Sequence, residues 1–216
     1  MTRGRFIALE GGEGAGKSTQ ARLLGEALRA RGVAVVITRE PGGTPGAEAI
    51  RSLLLDGVAG DEAGWGARAE ALLFAAARAD HVARLIRPAL EGGTWVICDR
   101  YLDSSRAYQG GGGGLSDADL LDLHRIGSEG LLPDLTLLVE VESVEVVRRL
   151  ALRDTAGSDR IGGREQAYHD RVSATFRRLA EQDADRFARI DGNGDPQEIH
   201  ARIMSALTPL LEASAS

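Results

Sequence analysis

Residues 11–18 read Gly11-Gly12-Glu13-Gly14-Ala15-Gly16-Lys17-Ser18, the pattern G-x-x-x-x-G-K-S/T, directly after the short apolar run Phe6-Ile7-Ala8-Leu9. This pattern needs a strand, a glycine loop and a helix in that order. Glycines let successive backbone N–H groups turn inward as an anion nest, and the helix that follows adds its positive N-terminal end. The flanks comply. Leu23, Leu24, Ala27 and Leu28 fall on one helical face, with Arg22, Glu26, Arg29 and Arg31 around the rest and Gly32 as a stop. Val33-Ala34-Val35-Val36-Ile37 is then a β-branched run without polar alternation, the pattern of a strand buried on both faces. Strand, loop, helix and strand in series commit the chain to an α/β class.

Of the 26 basic residues, Lys17 is the only lysine. A compact ammonium on a flexible stem fits inside a ring of backbone amides as a point charge, and a planar guanidinium does not. Compositional bias explains arginine elsewhere in the chain. It does not explain why the one lysine stands in this motif.

Further along, apolar runs continue to alternate with amphipathic stretches, which predicts a mostly parallel sheet flanked by helices. Thr38-Arg39-Glu40-Pro41-Gly42-Gly43-Thr44 is a loop, followed by helices over 47–55 and 67–90. Trp95-Val96-Ile97-Cys98 is a buried strand that ends in Asp99-Arg100-Tyr101, and the five glycines from Gly110 to Gly114 are expected to form a mobile loop. Leu135 to Val141 is a strand and Val144 to Leu152 a helix. A polar, glycine-containing stretch runs from Arg153 to Arg164, and another helix, the weak strand Phe187-Ala188-Arg189-Ile190 and a helix after Pro196 complete the order. There is no internal repeat, so one domain spanning 1–216 is expected.

Composition narrows the partners. An apolar fraction of 43% fills a core, and a net charge of −6 without blocks of like charge argues against nucleic acid or an anionic membrane. The longest apolar runs are too short to cross a bilayer. Cys98 is alone, so no intrachain disulfide or paired-cysteine zinc site is available, and the four histidines are dispersed. A cytoplasmic protein is expected.

Chemistry concentrates at the ends of the strands. Lys17 should reach the β- and γ-phosphates of a nucleotide, and the Ser18 hydroxyl suits Mg²⁺. Asp99, at the end of an apolar strand, stands where an acid orients Mg²⁺ or a metal-bound water; the plain alternative is a cap. Arg100 could hold a second phosphate by paired hydrogen bonds, or form a surface ion pair.

With these residues in view, the chain resembles the thymidylate kinases. The segments that carry the resemblance are Glu10-Gly-Gly-Glu-Gly-Ala-Gly-Lys-Ser-Thr19, Thr38-Arg-Glu-Pro-Gly-Gly-Thr44, Ile50-Arg-Ser-Leu-Leu-Leu55, Leu73-Phe-Ala-Ala-Ala-Arg78, Asp99-Arg-Tyr101, Ser104-Ser-Arg-Ala-Tyr-Gln-Gly110 and Asp159-Arg-Ile161. They follow family order and spacing from about residue 5 to residue 190. The resemblance implies a three-layer P-loop NTPase fold with a five-stranded parallel sheet and a short lid at about 153–164. It implies phosphorylation of dTMP to dTDP with Mg-ATP, and a homodimer packed through the 67–90 and 116–127 regions.

It also assigns residues. Gly11, Gly12, Glu13, Gly14, Ala15, Gly16, Lys17, Ser18 and Thr19 would hold ATP, with Ser18 and Asp99 toward the metal. Phe74 would stack on thymine, Arg78 would donate to a thymine oxygen, and Gln109, helped by Ser105, would read the base edge. Arg51 and Arg100 would clamp the dTMP phosphate, Glu13 would face the 3′-hydroxyl, Tyr108 would pack beside the sugar, and Glu40 would lie at the substrate. Because Glu13 stands where an arginine could have been in the first loop, the transferred phosphoryl group would be met by lid arginines, Arg153 and Arg160 ahead of Arg149, as in the bacterial branch. One departure is visible: Gly162-Gly163 follows Asp159-Arg160-Ile161, where relatives often carry an acidic residue. Lysine scarcity removes one rival, since a guanine-reading Asn-Lys-x-Asp motif needs a second lysine. A kinase for another acceptor and a non-catalytic nucleotide sensor stay open at this point.

Overall fold

The computed structural model describes residues 3–56, 64–142, 145, 146, 148, 149 and 164–215. Five parallel strands form one sheet in the order β2-β3-β1-β4-β5: β1 (Phe6–Glu10), β2 (Val35–Arg39), β3 (Trp95–Asp99), β4 (Leu135–Glu140) and β5 (Phe187–Asp191). Central β1 pairs with β3 through Ile7↔Ile97 and with β4 through Ile7↔Leu135, and all five of its residues are buried. Its side chains alternate between two cores. Ile7 and Leu9 meet Leu24 and Leu28 of α1 (Lys17–Ala30) and Ile203 and Leu207 of α8 (Pro196–Ala215). On the other face Phe6 and Ala8 meet Val82, Ile86, Leu90 and Tyr101. The expected three-layer, five-stranded parallel fold is present.

The α1 stop shows how local chemistry sets a strand boundary. Gly32 has φ +78°, its N–H donates to Arg29 O at 2.9 Å, and the Val33 N–H reaches back to Leu28 O at 3.1 Å. This is a Schellman closure, and it consumes Val33. The second strand therefore runs over 35–39 rather than 33–37. It also lies at the sheet edge, where Val35 and Ile37 are only partly buried, so a uniformly apolar run did not mean burial on both faces.

Thr44 caps α2 (Pro45–Leu55) by accepting from the Ala47 N–H at 3.3 Å, with Pro45 at the first helical position. The helix expected over 67–90 is continuous but not uniform: α3 (Ala67–His81) passes through a π-helical stretch (Val82–Ile86) into α4 (Arg87–Glu91). After β3, α5 (Leu102–Ser105) runs into a second π-helical stretch, Arg106–Gly112.

The glycine run differs from the expected mobile loop. Gly110 to Gly112 continue this helical stretch, and only Gly113 and Gly114 form the turn before α6 (Asp117–Ser128). A Cβ at Gly111 would collide with Thr175, and one at Gly112 with the Tyr168 ring, both on α7 (Gln166–Gln182). These glycines let two helices approach closely. Of the lid expected at about 153–164, all but Arg164 lies outside the described residues; of the helix expected at 144–152, Glu145, Val146, Arg148 and Arg149 are described and helical.

Candidate active site

Where β1 ends, the chain turns through Gly11, Gly14 and Gly16, with φ of 137°, 68° and 87°, before entering α1. These angles favour glycine, and a Cβ on Gly11 would meet the Val139 carbonyl. Lys17 Nζ donates to Gly11 O at 3.0 Å and Gly12 O at 2.7 Å. Burial, and then the nearby Arg100 charge, pull its pKa down to about 7 against the opposing pull of Asp99, Glu10 and Glu13. The Ser18 hydroxyl donates to Asp99 Oδ2 at 2.6 Å, so the two expected metal-side residues are brought together. A hydroxyl and a carboxylate oxygen side by side are hard donors of the type Mg²⁺ takes.

Beyond β3 the backbone kinks. Arg100 has φ +68°, a left-handed conformation uncommon for a residue with a side chain. Glu10 braces the kink: its carboxylate accepts from the Tyr101 N–H at 2.8 Å, the Ser104 N–H at 3.1 Å and the Ser104 hydroxyl at 2.6 Å. Burial, reinforced by Asp103, pushes the Glu10 pKa up to about 7. Held this way, Arg100 donates to Gly11 O at 3.1 Å and Ser104 Oγ at 3.2 Å, with its guanidinium 4.9 Å from the Tyr108 ring centre.

One pocket contains Glu13, Glu40, Arg51, Phe74, Arg78, Arg100, Ser105, Tyr108 and Gln109, together with Pro41, Leu55, Tyr101 and Ser104. All nine residues expected at the acceptor therefore line one cavity. Phe74 is half-buried at its wall rather than deep in the core. At its floor, Arg78 Nε donates to Glu40 Oε2 at 2.8 Å, and Nη2 to Ser105 Oγ at 2.9 Å and Tyr101 O at 3.3 Å. His81 completes the set, with Nδ1 3.1 Å from Glu40 Oε1 and Nε2 2.8 Å from Thr38 Oγ1. Ligand-type atoms of Glu40, His81 and Cys98 lie within 4.8 Å of one another, yet both Glu40 oxygens already have partners. That cluster is hydrogen-bonded core. Arg51 donates to Pro41 O at 2.8 Å, next to a cis Glu40–Pro41 peptide.

On the far side of the glycine loop a second pocket is lined by Gly14, Gly16, Thr19, Gln20, Arg148, Arg149 and the segment Gly194–Pro196. These two concave sites border one phosphate-type loop, and a third, between Gly11, Gly12, Glu13 and the helix at 166–182, borders it as well. A family model described as thymidylate kinase matches residues 9–203. The chain belongs to the thymidylate kinase family. A thymidylate kinase of Rhizorhabdus wittichii is 60% identical over 208 residues, covering 96% of this chain and 99% of that protein. One from Rhodopseudomonas palustris is 49% identical over 207 residues, covering 95% and 89%. Among solved structures, the thymidylate kinase of Ehrlichia chaffeensis superposes with a TM-score of 0.75 at 30% identity, covering 95% of this chain and 99% of that one.

For this member of the thymidylate kinase family, several site residues escaped the sequence reading. Glu70, Phe74 and Arg78 recur at four-residue spacing on α3, and His81 follows three later, so one helical face carries them all. That spacing was a usable signal for Glu70 and His81. Glu10 had none, because its partners stand more than 90 residues away. Arg149 faces the second pocket, donating to Gly192 O at 2.9 Å and reaching Gly14 O at 3.5 Å. Arg153 and Arg160 lie outside the described residues.

Proposed function

We propose that this chain phosphorylates dTMP to dTDP by direct transfer from ATP, with dTMP seated in the pocket of Phe74 and Arg78 and ATP in the pocket of Gly14, Thr19 and Arg149. The observation that carries this reading is the convergence of nine residues, from the loop, α2, α3 and the segments after β2 and β3, on one cavity beside Lys17. In that cavity Phe74 stacks on thymine, Arg78 donates to a thymine oxygen and Gln109 meets the base edge. Arg51 and Arg100 clamp the phosphate, Glu13 faces the 3′-hydroxyl, and Tyr108, Ser105 and Glu40 shape the remaining walls.

The acceptor is an anionic phosphate oxygen, so no strong base is needed and alignment and charge neutralisation carry the reaction. Lys17 and the loop amides hold the donor phosphates. Ser18 and Asp99 would hold Mg²⁺, which when bound neutralises phosphate charge. Arg153 and Arg160 are assigned to the moving phosphoryl group, because Glu13 leaves the first loop without an arginine. Residues 1–216 are taken as one domain, and the enzyme as cytoplasmic with its nucleotide substrates. Exposed Leu72 on α3 and Leu121 and Ile126 on α6, helices that pack together, support a homodimer across that face.

The deciding experiment is ADP formation from Mg-ATP with dTMP, dUMP, dCMP, dGMP, AMP or no acceptor. Strong stimulation by dTMP is expected; ATP binding without stimulation by any acceptor would replace the kinase with a sensor.

Lys17 gives the reading a pH dependence. With a pKa near 7 in the nucleotide-free protein, it is charged below that value and increasingly neutral above it. Triphosphate oxygens favour the ammonium and raise its pKa, so ATP binding takes up a proton above pH 7. ATP affinity should be flat below pH 7 and fall by up to about tenfold per pH unit above it. Calorimetry in buffers of different ionisation enthalpy reads the uptake directly; equal heats at pH 8.5 would refute it.

A further inference from the structure

We propose that Glu70 is a specificity-determining positioning residue, fixing the Gln109 amide so that its carbonyl oxygen, not its NH₂, is presented to the base. This deepens the acceptor-site reading above and rests on it. Glu70 is buried in the first turn of α3, on the face that also carries Phe74 and Arg78. Its Oε1 accepts from Gln109 Nε2 at 2.9 Å, and its Oε2 accepts from Arg164 Nη2 at 2.5 Å. Arg164 is itself fixed: Nη1 donates to the Tyr168 hydroxyl at 2.6 Å, and the guanidinium lies 4.7 Å from the centre of that ring. The Tyr168 hydroxyl in turn donates to Tyr108 O at 3.0 Å, so the network returns to the stretch that holds Gln109.

A glutamine amide is nearly symmetric in shape but opposite in hydrogen-bonding character at its two ends. A carboxylate paired with a guanidinium only accepts, so Glu70 takes the amide nitrogen. Glu70 thereby takes up one of the two amide N–H groups and fixes which end of the amide is nitrogen, so the end of Gln109 that no described residue holds is its carbonyl, open to a ligand in the pocket. The pocket then offers a donor at Arg78 and an acceptor at Gln109. Thymine presents the complement, an O4 acceptor beside an N3–H donor. Cytosine presents the reverse, an N4 amine beside an N3 acceptor. A polar site that cannot reorient rejects the wrong pattern by leaving buried groups unpaired.

The test compares kcat/KM for dTMP and dCMP in the full-length protein. Glu70→Gln preserves shape but can donate or accept, so Gln109 is no longer held one way round. The dTMP:dCMP preference should fall by about tenfold or more, with kcat at saturating dTMP changed less. Glu70→Ala provides a second variant, and melting curves check that each is folded. A folded Glu70→Gln and Glu70→Ala pair that both keep the wild-type preference overturns the proposal. Gln109→Ala separates the levels. If it alone shifts the preference, positioning by Glu70 is wrong and the site reading stands; if neither it nor the Glu70 variants shift it, the base-reading role of Gln109 falls as well.

Discussion

Lys17→Arg is expected to lower kcat by about a hundred- to a thousandfold, although it exchanges one cation for another in a chain that uses arginine at every other basic position. The reason is space and charge at Gly11. Lys17 Nζ sits 3.0 Å from the Gly11 carbonyl and 2.7 Å from Gly12, while Arg100 Nη1 approaches the same Gly11 oxygen at 3.1 Å. A second guanidinium is wider than an ammonium and would have to share that oxygen with Arg100. Proximity to Arg100 already helps depress the Lys17 pKa, so the site tolerates a small cation and little more. Steady-state turnover with saturating dTMP, alongside a melting curve, checks the expectation. An arginine variant within tenfold of wild type would mean that the surviving lysine reflects history rather than need.

Residue chemistry that is local in sequence was readable; chemistry assembled across the fold was not. The glycine loop announced its strand and helix because its constraints lie within some twenty residues. The residues proposed for the acceptor were named through resemblance to a family, and their convergence on one cavity follows from the sheet order, which sets the C-terminal ends of β1, β2 and β3 side by side. Misreadings came from tertiary context. Val33 looked like strand until the closure of α1 claimed it, and the β2 run looked doubly buried because edge and centre strands share composition. Five consecutive glycines signal freedom in isolation. Against α7, two of them, Gly111 and Gly112, leave the space that Thr175 and Tyr168 occupy. Glu70 and Arg164 are 94 residues apart, and no periodicity links them.

The largest effect on stability should come from Glu40→Gln. The Glu40 and Arg78 side chains are only 4% and 3% exposed, so their charges are compensated by each other and by neighbouring dipoles rather than by water. Exchanging the carboxylate for an amide leaves a buried guanidinium with neutral acceptors only (the new amide carbonyl, Ser105 Oγ and the Tyr101 carbonyl), and removes a full charge from beside His81. Breaking one half of such a pair costs about 3–5 kcal/mol, a large share of the 5–15 kcal/mol that roughly spans domain stabilities. Melting should fall by about 10 °C. Replacing both partners removes the uncompensated charge, so Glu40→Gln combined with Arg78→Met should recover most of that loss. Recovery of stability should not restore recognition. With the Arg78 guanidinium gone, KM for dTMP stays raised in the double variant while kcat is less affected. A single variant that melts with the wild type would show that Glu40 is not the counter-charge of Arg78. A double variant that regains both stability and KM would separate Arg78 from the base altogether.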